Sequence, residues 1–297
     1  MAIHLTAKIP LNRVVKIGIW DNHTNKQGIN TVYNTLKKKY PNKEIYISNG
    51  GFFGMDTKRN PCWGCKADGK VIASGWNTNG TGYFAMNGKS ITFHKRTEAF
   101  PSNYSDGISV YPPLIENSVK SNTYHTGPDG YSDRGRTMIG YNGQYVILSC
   151  IADTAGSSDF TLAEELAYMK SQGCTFAGNL DGGGSTQCNF NGNRISSSRI
   201  VSNFVYIVAD PAKSNSSTTP SKPSTSGSTS GSSTLKVGDV VTITNGAPVY
   251  GKTYKFASWV YKSNLYVRAI AGDRITISTQ KTGAVTGAIA RKYVVKK

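Results

Sequence analysis

The stretch Asn179-Leu180-Asp181-Gly182-Gly183-Gly184-Ser185-Thr186-Gln187 follows an apolar run, Thr175 to Leu180, that reads as a strand aimed into the core. The strand stops on a carboxylate followed at once by three glycines. Glycine accepts positive φ and leaves room for a ligand to approach the backbone. The turn can therefore present Asp181 and the amides of Gly182, Gly183 and Gly184 to one bound group. A Gly-rich hairpin loop carrying a solvated Asp explains an isolated DGGG equally well, so the neighbouring segments must decide.

Upstream, Thr161 and Glu164 form a capping box, Leu162, Leu166 and Met169 make an apolar stripe, and Gly173 ends it, which predicts a helix feeding the strand. The N-terminal part repeats the pattern. Arg13 to Trp20 reads as a strand, Ile29, Val32, Tyr33 and Leu36 as a helix ending before Pro41, and Glu44 to Ser48 as a strand running into Asn49-Gly50-Gly51-Phe52-Phe53. Gly-rich turns at the carboxyl ends of such strands are where ligands tend to bind. Asn87-Gly88, Asn142-Gly143 and Asn191-Gly192 mark hairpins, and Arg199 to Ala209 a last core strand. Pro101 to Asp133, rich in Ser, Asn, Tyr, Gly and Pro, reads as a long functional loop or lid. Two helical crossovers among many short strands predict an α+β domain with a mixed sheet over residues 1–210.

Residues 211–234 are almost all Ser, Thr, Pro, Gly, Lys and Asn, a composition that cannot bury enough surface to fold and so predicts a flexible linker. Short strand patterns return over residues 235–297 and suggest a small all-β barrel. The chain is 297 residues long with a formal net charge of +17. Residues 236–297 hold eleven Lys and Arg against Asp239 and Asp273, a net +9. Such a balance calls for a polyanionic partner. Met1 to Trp20 lacks an apolar signal-peptide core, and the longest apolar stretch, Phe204 to Ala209, is far below membrane-spanning length. The expectation is a protein made in the cytoplasm, without a membrane partner. Five cysteines include Cys62-x-x-Cys65, but no second such pair or matching His pair follows, so neither a metal nor a cofactor is expected.

Four segments resemble the phosphodiester glycosidase family: Asn49-Gly50-Gly51-Phe52-Phe53, Gly135-Arg136-Thr137-Met138-Ile139-Gly140, Thr161 to Ala167 with Asn179 to Ser185, and Arg199-Ile200-Val201-Ser202-Asn203. The resemblance implies a hydrolase acting at an anomeric carbon that bears a phosphate or another glycosyl leaving group. Leu235-Lys236-Val237-Gly238-Asp239-Val240-Val241 and Ser258-Trp259-Val260-Tyr261 are similar to the SH3-like wall-binding domains of phage endolysins. Together they imply an endolysin-type enzyme that acts, after release, on a bacterial cell-wall glycan or anionic wall polymer. The alternatives are a peptidoglycan glycan-strand hydrolase of the same fold and a non-enzymatic protein binding walls or nucleic acid, the last disfavoured.

Glycosidic cleavage usually needs two carboxyl groups, although a phosphate leaving group needs little protonation and is helped by a cation. On the resemblance, Asp181 is the carboxylate at the anomeric centre, and Arg136 neutralises phosphate or orients Asp181. Asp153, Glu165 and Asp133 compete for the second carboxyl role. Asn49, Gly50, Gly51, Thr137, Asn179, Gly182, Gly183, Gly184 and Ser185 are the candidate substrate-binding residues. Trp63, Trp76 and Tyr83 are candidate sugar-stacking platforms.

Overall fold

A computed structural model describes residues 3–124, 132–153, 160–212, 235–251, 256, 260–279, 281 and 286–296. Most of the expected linker (213–234), part of the segment 101–133, and Ser258-Trp259 lie outside the described residues. The chain divides into two units, Met1–Ser216 and Ser217–Lys297.

The larger unit holds three sheets. One orders its strands His4–Pro10, Tyr145–Ile151, Arg136–Tyr141, Phe176–Asn179, Pro113–Glu116 and Val119–Lys120. The second runs Asn193–Ile195, Cys188–Phe190, Glu44–Asn49, Asn203–Ala209, Val14–Asp21, and the third Lys70–Ala73, Cys65–Ala67, Asp106–Val110, Gly82–Asn87, Ser90–Lys95. One apolar cluster draws on all three, including Ile139 and Leu148, Ile17 and Val205, and Phe84 and Ile108. The helix Ile29–Lys39 packs on the other side of the second sheet through Val32 and Leu36. The helix Leu162–Ser171 does the same for the first sheet through Leu162 and Met169, and its capping box is formed by Thr161 and Glu164. Strands covered on both faces lose the apolar/polar alternation. Asn203–Ala209 is buried throughout, with Val205 and Ile207 in the central cluster and Phe204, Tyr206 and Val208 against the helix.

The expected α+β, mixed-sheet class is corrected by this architecture. Among the described residues the protein is mostly β, 44% strand and 12% helix, with two α-helices. Every described strand pairing is antiparallel. Both strand-helix-strand units exist, but neither closes a parallel pair. Asn203–Ala209 slots between Val14–Asp21 and Glu44–Asn49, and Arg136–Tyr141 between Tyr145–Ile151 and Phe176–Asn179. Local pattern specifies the crossover, whereas the inserted strand comes from elsewhere in the chain. Within the loop or lid expected over Pro101–Asp133, the described residues include the strands Asp106–Val110, Pro113–Glu116 and Val119–Lys120. Asp106–Val110 is buried along its whole length and Pro113–Glu116 nearly so, and burial of both faces hides the period of two.

The smaller unit has one antiparallel sheet in the order Gly287–Ala290, Arg274–Ser278, Leu265–Ala271, Val240–Ile243, Val294–Lys296, around a core that includes Val241, Leu265, Ile275 and Ile289. Val260–Lys262 is a 3-10 turn. No helix among the described residues is long and apolar enough to cross a membrane.

The strand that delivers Asp181 packs without slack, because a Cβ on Gly178 would collide with the Val110 side chain. Gly178→Ala is expected to lose about 1–3 kcal/mol of stability in urea unfolding. Adding Val110→Ala should make the double variant more stable than the sum of the two single losses.

Candidate active site

Asn49 stands at the carboxyl end of its strand with its side chain wholly buried among three other segments. Its Nδ2 donates to the Asp181 carbonyl at 2.7 Å, and its Oδ1 accepts from Thr137 Oγ1 at 2.7 Å and from the Gln187 amide at 3.1 Å. The backbone adds to the tie: the Asp181 amide donates to Gly50 O at 3.0 Å and the Leu180 amide to Thr137 O at 2.8 Å. One amide side chain thus joins the NGG turn, the Arg136-Thr137 strand and both ends of the DGGGS loop. Gly50 must be glycine, since a Cβ there would run into Asn203 Oδ1, the acceptor for the Gly51 amide. Asn179 is also enclosed and donates to Tyr111 O at 2.7 Å.

The loop itself turns at Gly183, where φ is +55°. The Gly182 amide donates to Asp181 Oδ1 at 3.0 Å and the Gly183 amide to Gly135 O at 2.7 Å. Asp153, exposed, accepts from the Gly135 amide at 2.9 Å and lies against Gly183, so a single short segment runs beside both carboxylates. Burial lifts the Asp181 carboxyl to about 6, against the opposing pull of the Ser185 hydroxyl, the Gly182 amide and the Arg199 charge. Such a group changes charge in weakly acidic solution, where a catalytic carboxyl is useful.

Arg199 is the functional candidate that sequence reasoning did not single out. It opens the Arg199-Ile200-Val201-Ser202-Asn203 segment, and its Nη1 donates to Ser185 Oγ at 3.2 Å. Its Nη2 lies where a Cβ on Gly184 would be 2.8 Å away, so the absence of a side chain at Gly184 admits the guanidinium. Beside it opens a hollow of about 660 Å³ whose lining includes Asp153, Gly184, Thr186, Arg194, Ser197 and Arg199. The Cys62 thiol is pushed up first by burial and then by the Asp181 charge. Next to Cys62, Trp63 packs on Phe52 and Tyr111 with ring centroids 5.2 and 4.6 Å apart, all three rings partly exposed.

Other candidates are placed elsewhere. Arg136 is buried and donates to Phe160 O at 2.7 Å and Ser132 O at 3.0 Å, and its charge acts on Glu165. Asp133 is exposed. Tyr83 is enclosed, with its hydroxyl donating to Glu98 O and Ala99 O, and Trp76 packs between Tyr83 and Phe100. Among the described residues no group of three or more His, Cys, Asp or Glu could hold a metal ion.

A family match assigns the chain to a class of hydrolases that act on sugar phosphodiesters. Residues 42–208, more than half of the chain, match the phosphodiester glycosidase family, and the chain belongs to it. The catalytic domain of zebrafish N-acetylglucosamine-1-phosphodiester α-N-acetylglucosaminidase, auto-inhibited by its pro-peptide, shares the fold at 16% identity. The match covers 70% of this chain and 82% of that one, with a TM-score of 0.52. A hypothetical protein from Synechocystis is similar at 13% identity and a TM-score of 0.47, over 69% of this chain and 57% of that one. None of the curated proteins compared with the chain matches it.

Glu165 is fully enclosed on its helix, and neither carboxyl oxygen has a hydrogen-bond partner among the described residues. Burial raises it to about 8, and the nearby Arg136 only moderates this. Because the folded value lies above the unfolded one, the unfolded state gives up the proton first, and stability falls as pH climbs from about 4.5 to about 8. Glu165→Gln removes that slope. Urea titrations are expected to show the variant gaining on the wild type, on the order of a few kcal/mol, between pH 5 and pH 9.

Proposed function

We propose that the protein hydrolyses a glycosidic or sugar-1-phosphate bond in a bacterial cell-wall glycopolymer, in the manner of a phage endolysin. The observation that carries the reading is Asp181. Its backbone is fixed by Asn49 and Gly50, its carboxyl is held by Gly182 and Ser185, and burial sets its proton affinity near pH 6. In this reading the ionised Asp181 acts at the anomeric carbon, either attacking it or taking a proton from water, and Asp153 across the same loop is the second carboxyl group. The sugar lies toward Phe52, Trp63 and Tyr111, whose partly exposed rings offer apolar faces for its C–H groups.

The wall assignment is supported by the smaller unit. It pairs a five-stranded antiparallel sheet of SH3-like size with eleven basic residues against two acidic ones over residues 236–297, a balance that would favour an anionic wall polymer. Tethering would raise the effective concentration of the catalytic unit on the wall without adding contacts at the active site.

Purified protein incubated with intact Gram-positive walls is expected to release sugar and phosphate detectable by mass spectrometry. Asp181→Asn should fold normally and release them at least about a hundredfold more slowly. The wild-type rate should fall as pH drops through about 6, with this limb absent from whatever activity the variant retains. Wild-type turnover by Asp181→Asn would remove the mechanism. Release of reducing ends from walls stripped of teichoic acid would reassign the substrate to peptidoglycan strands.

A further inference from the structure

The hollow beside the DGGGS loop differs from the aromatic side of Asp181 in the groups it offers. Its lining includes two arginines, Arg194 and Arg199, and the run Ser196-Ser197-Ser198, against one acidic residue, Asp153. Arg194 is exposed. Arg199 is held in place. Its own amide donates to Ser197 Oγ at 3.0 Å, that hydroxyl donates to Gly184 O at 2.5 Å, and its carbonyl accepts from Gln187 Nε2 at 2.9 Å. Of its guanidinium donors, only Nη1 is engaged among the described residues, with Ser185. A guanidinium fixed at its base, with donors to spare at the mouth of a polar hollow, is built to receive an oxyanion. By contrast, Arg136 directs its guanidinium to the Phe160 and Ser132 carbonyls.

We propose that this hollow is the leaving-group subsite, in which Arg199 binds the departing phosphate and Arg194 reads a second negative charge farther along the leaving group. The inference rests on the glycosidase reading and deepens it by naming the class of leaving group: an anionic, repeating phosphodiester in place of a neutral sugar or alcohol. Hydrolysis breaks the bond from the anomeric carbon to the phosphate oxygen, and that oxygen leaves with the electron pair. Water supplies hydroxide to the sugar and one proton to the medium, and the phosphate leaves as an anion beside Arg199. The hollow, at about 660 Å³, has room for more than one phosphate unit.

The test uses the full chain and three substrates sharing one sugar: a sugar-1-phosphodiester of a single glycerol, the same sugar on a chain of several glycerol phosphates, and its aryl glycoside, which has a neutral leaving group. Arg194→Gln, a change at an exposed side chain, is expected to raise KM about tenfold on the longer anionic substrate with kcat unchanged, and to leave the other two substrates unaffected. Arg199→Gln should lower kcat/KM on both phosphodiesters by at least about a hundredfold and on the aryl glycoside far less, through its effect on Asp181 alone. Binding of inorganic phosphate, measured as the calorimetric difference between wild type and Arg199→Gln, provides a readout independent of turnover, with loss of a site in the variant expected. Equal effects of both variants on all three substrates, or phosphate binding unchanged in Arg199→Gln, would overturn the subsite while wild-type turnover left the glycosidase reading standing. Absence of wild-type turnover on every substrate would overturn the glycosidase reading and this inference with it.

Discussion

A single buried amide, that of Asn49, holds the site together. It donates to the Asp181 carbonyl and accepts from Thr137 and from the Gln187 amide, so three strands of two different sheets end in register at one point. The bonds to Thr137 and Gln187 are buried and the one to Asp181 partly so. Losing the side chain would leave the partners unsatisfied at a cost of about 1–3 kcal/mol per group. The cost would be greater in geometry than in stability, because the carboxyl of Asp181 is aimed by the backbone that Asn49 grips.

Around that tie the site is asymmetric. Toward Cys62 the walls are aromatic and partly exposed, and toward Arg199 they are polar and cationic. Asp181 feels both sides: its charge reaches the Cys62 thiol, and the Arg199 charge reaches it. A reacting bond that joins a sugar ring to an anion has the same polarity, apolar ring faces at one end and negative oxygens at the other. The glycines serve this arrangement through space they leave open. Gly50 admits Asn203, and Gly184 admits Arg199.

Much of this was legible in the sequence, and the illegible remainder has identifiable causes. The DGGG turn, the NGG turn, the Asn-Gly hairpins at Gly88, Gly143 and Gly192 with their positive φ, and the capping box of Thr161 and Glu164 are local devices that neighbouring residues specify. Sheet order is not local. The strand between Val14–Asp21 and Glu44–Asn49 comes from residues 203–209, and no short window carries that information. The strand Pro113–Glu116 read as loop because nearly all of its residues are covered and it shows no period of two. The two arginines were weighted by motif rather than by surroundings. Arg136 turned out to face Glu165 and backbone carbonyls, whereas Arg199 attracted no notice because only the folded chain brings it to Gly184 and Ser185.

The central claim is that Asp181 promotes attack at the anomeric carbon and that phosphate departs intact. Hydrolysis of a sugar 1-phosphodiester by the wild type in water enriched in oxygen-18, followed by mass spectrometry of both products, tests it most directly. The account predicts the label in the hydroxyl of the released sugar and none in the phosphate. Label in the phosphate would place bond breaking at phosphorus and contradict the role assigned to Asp181.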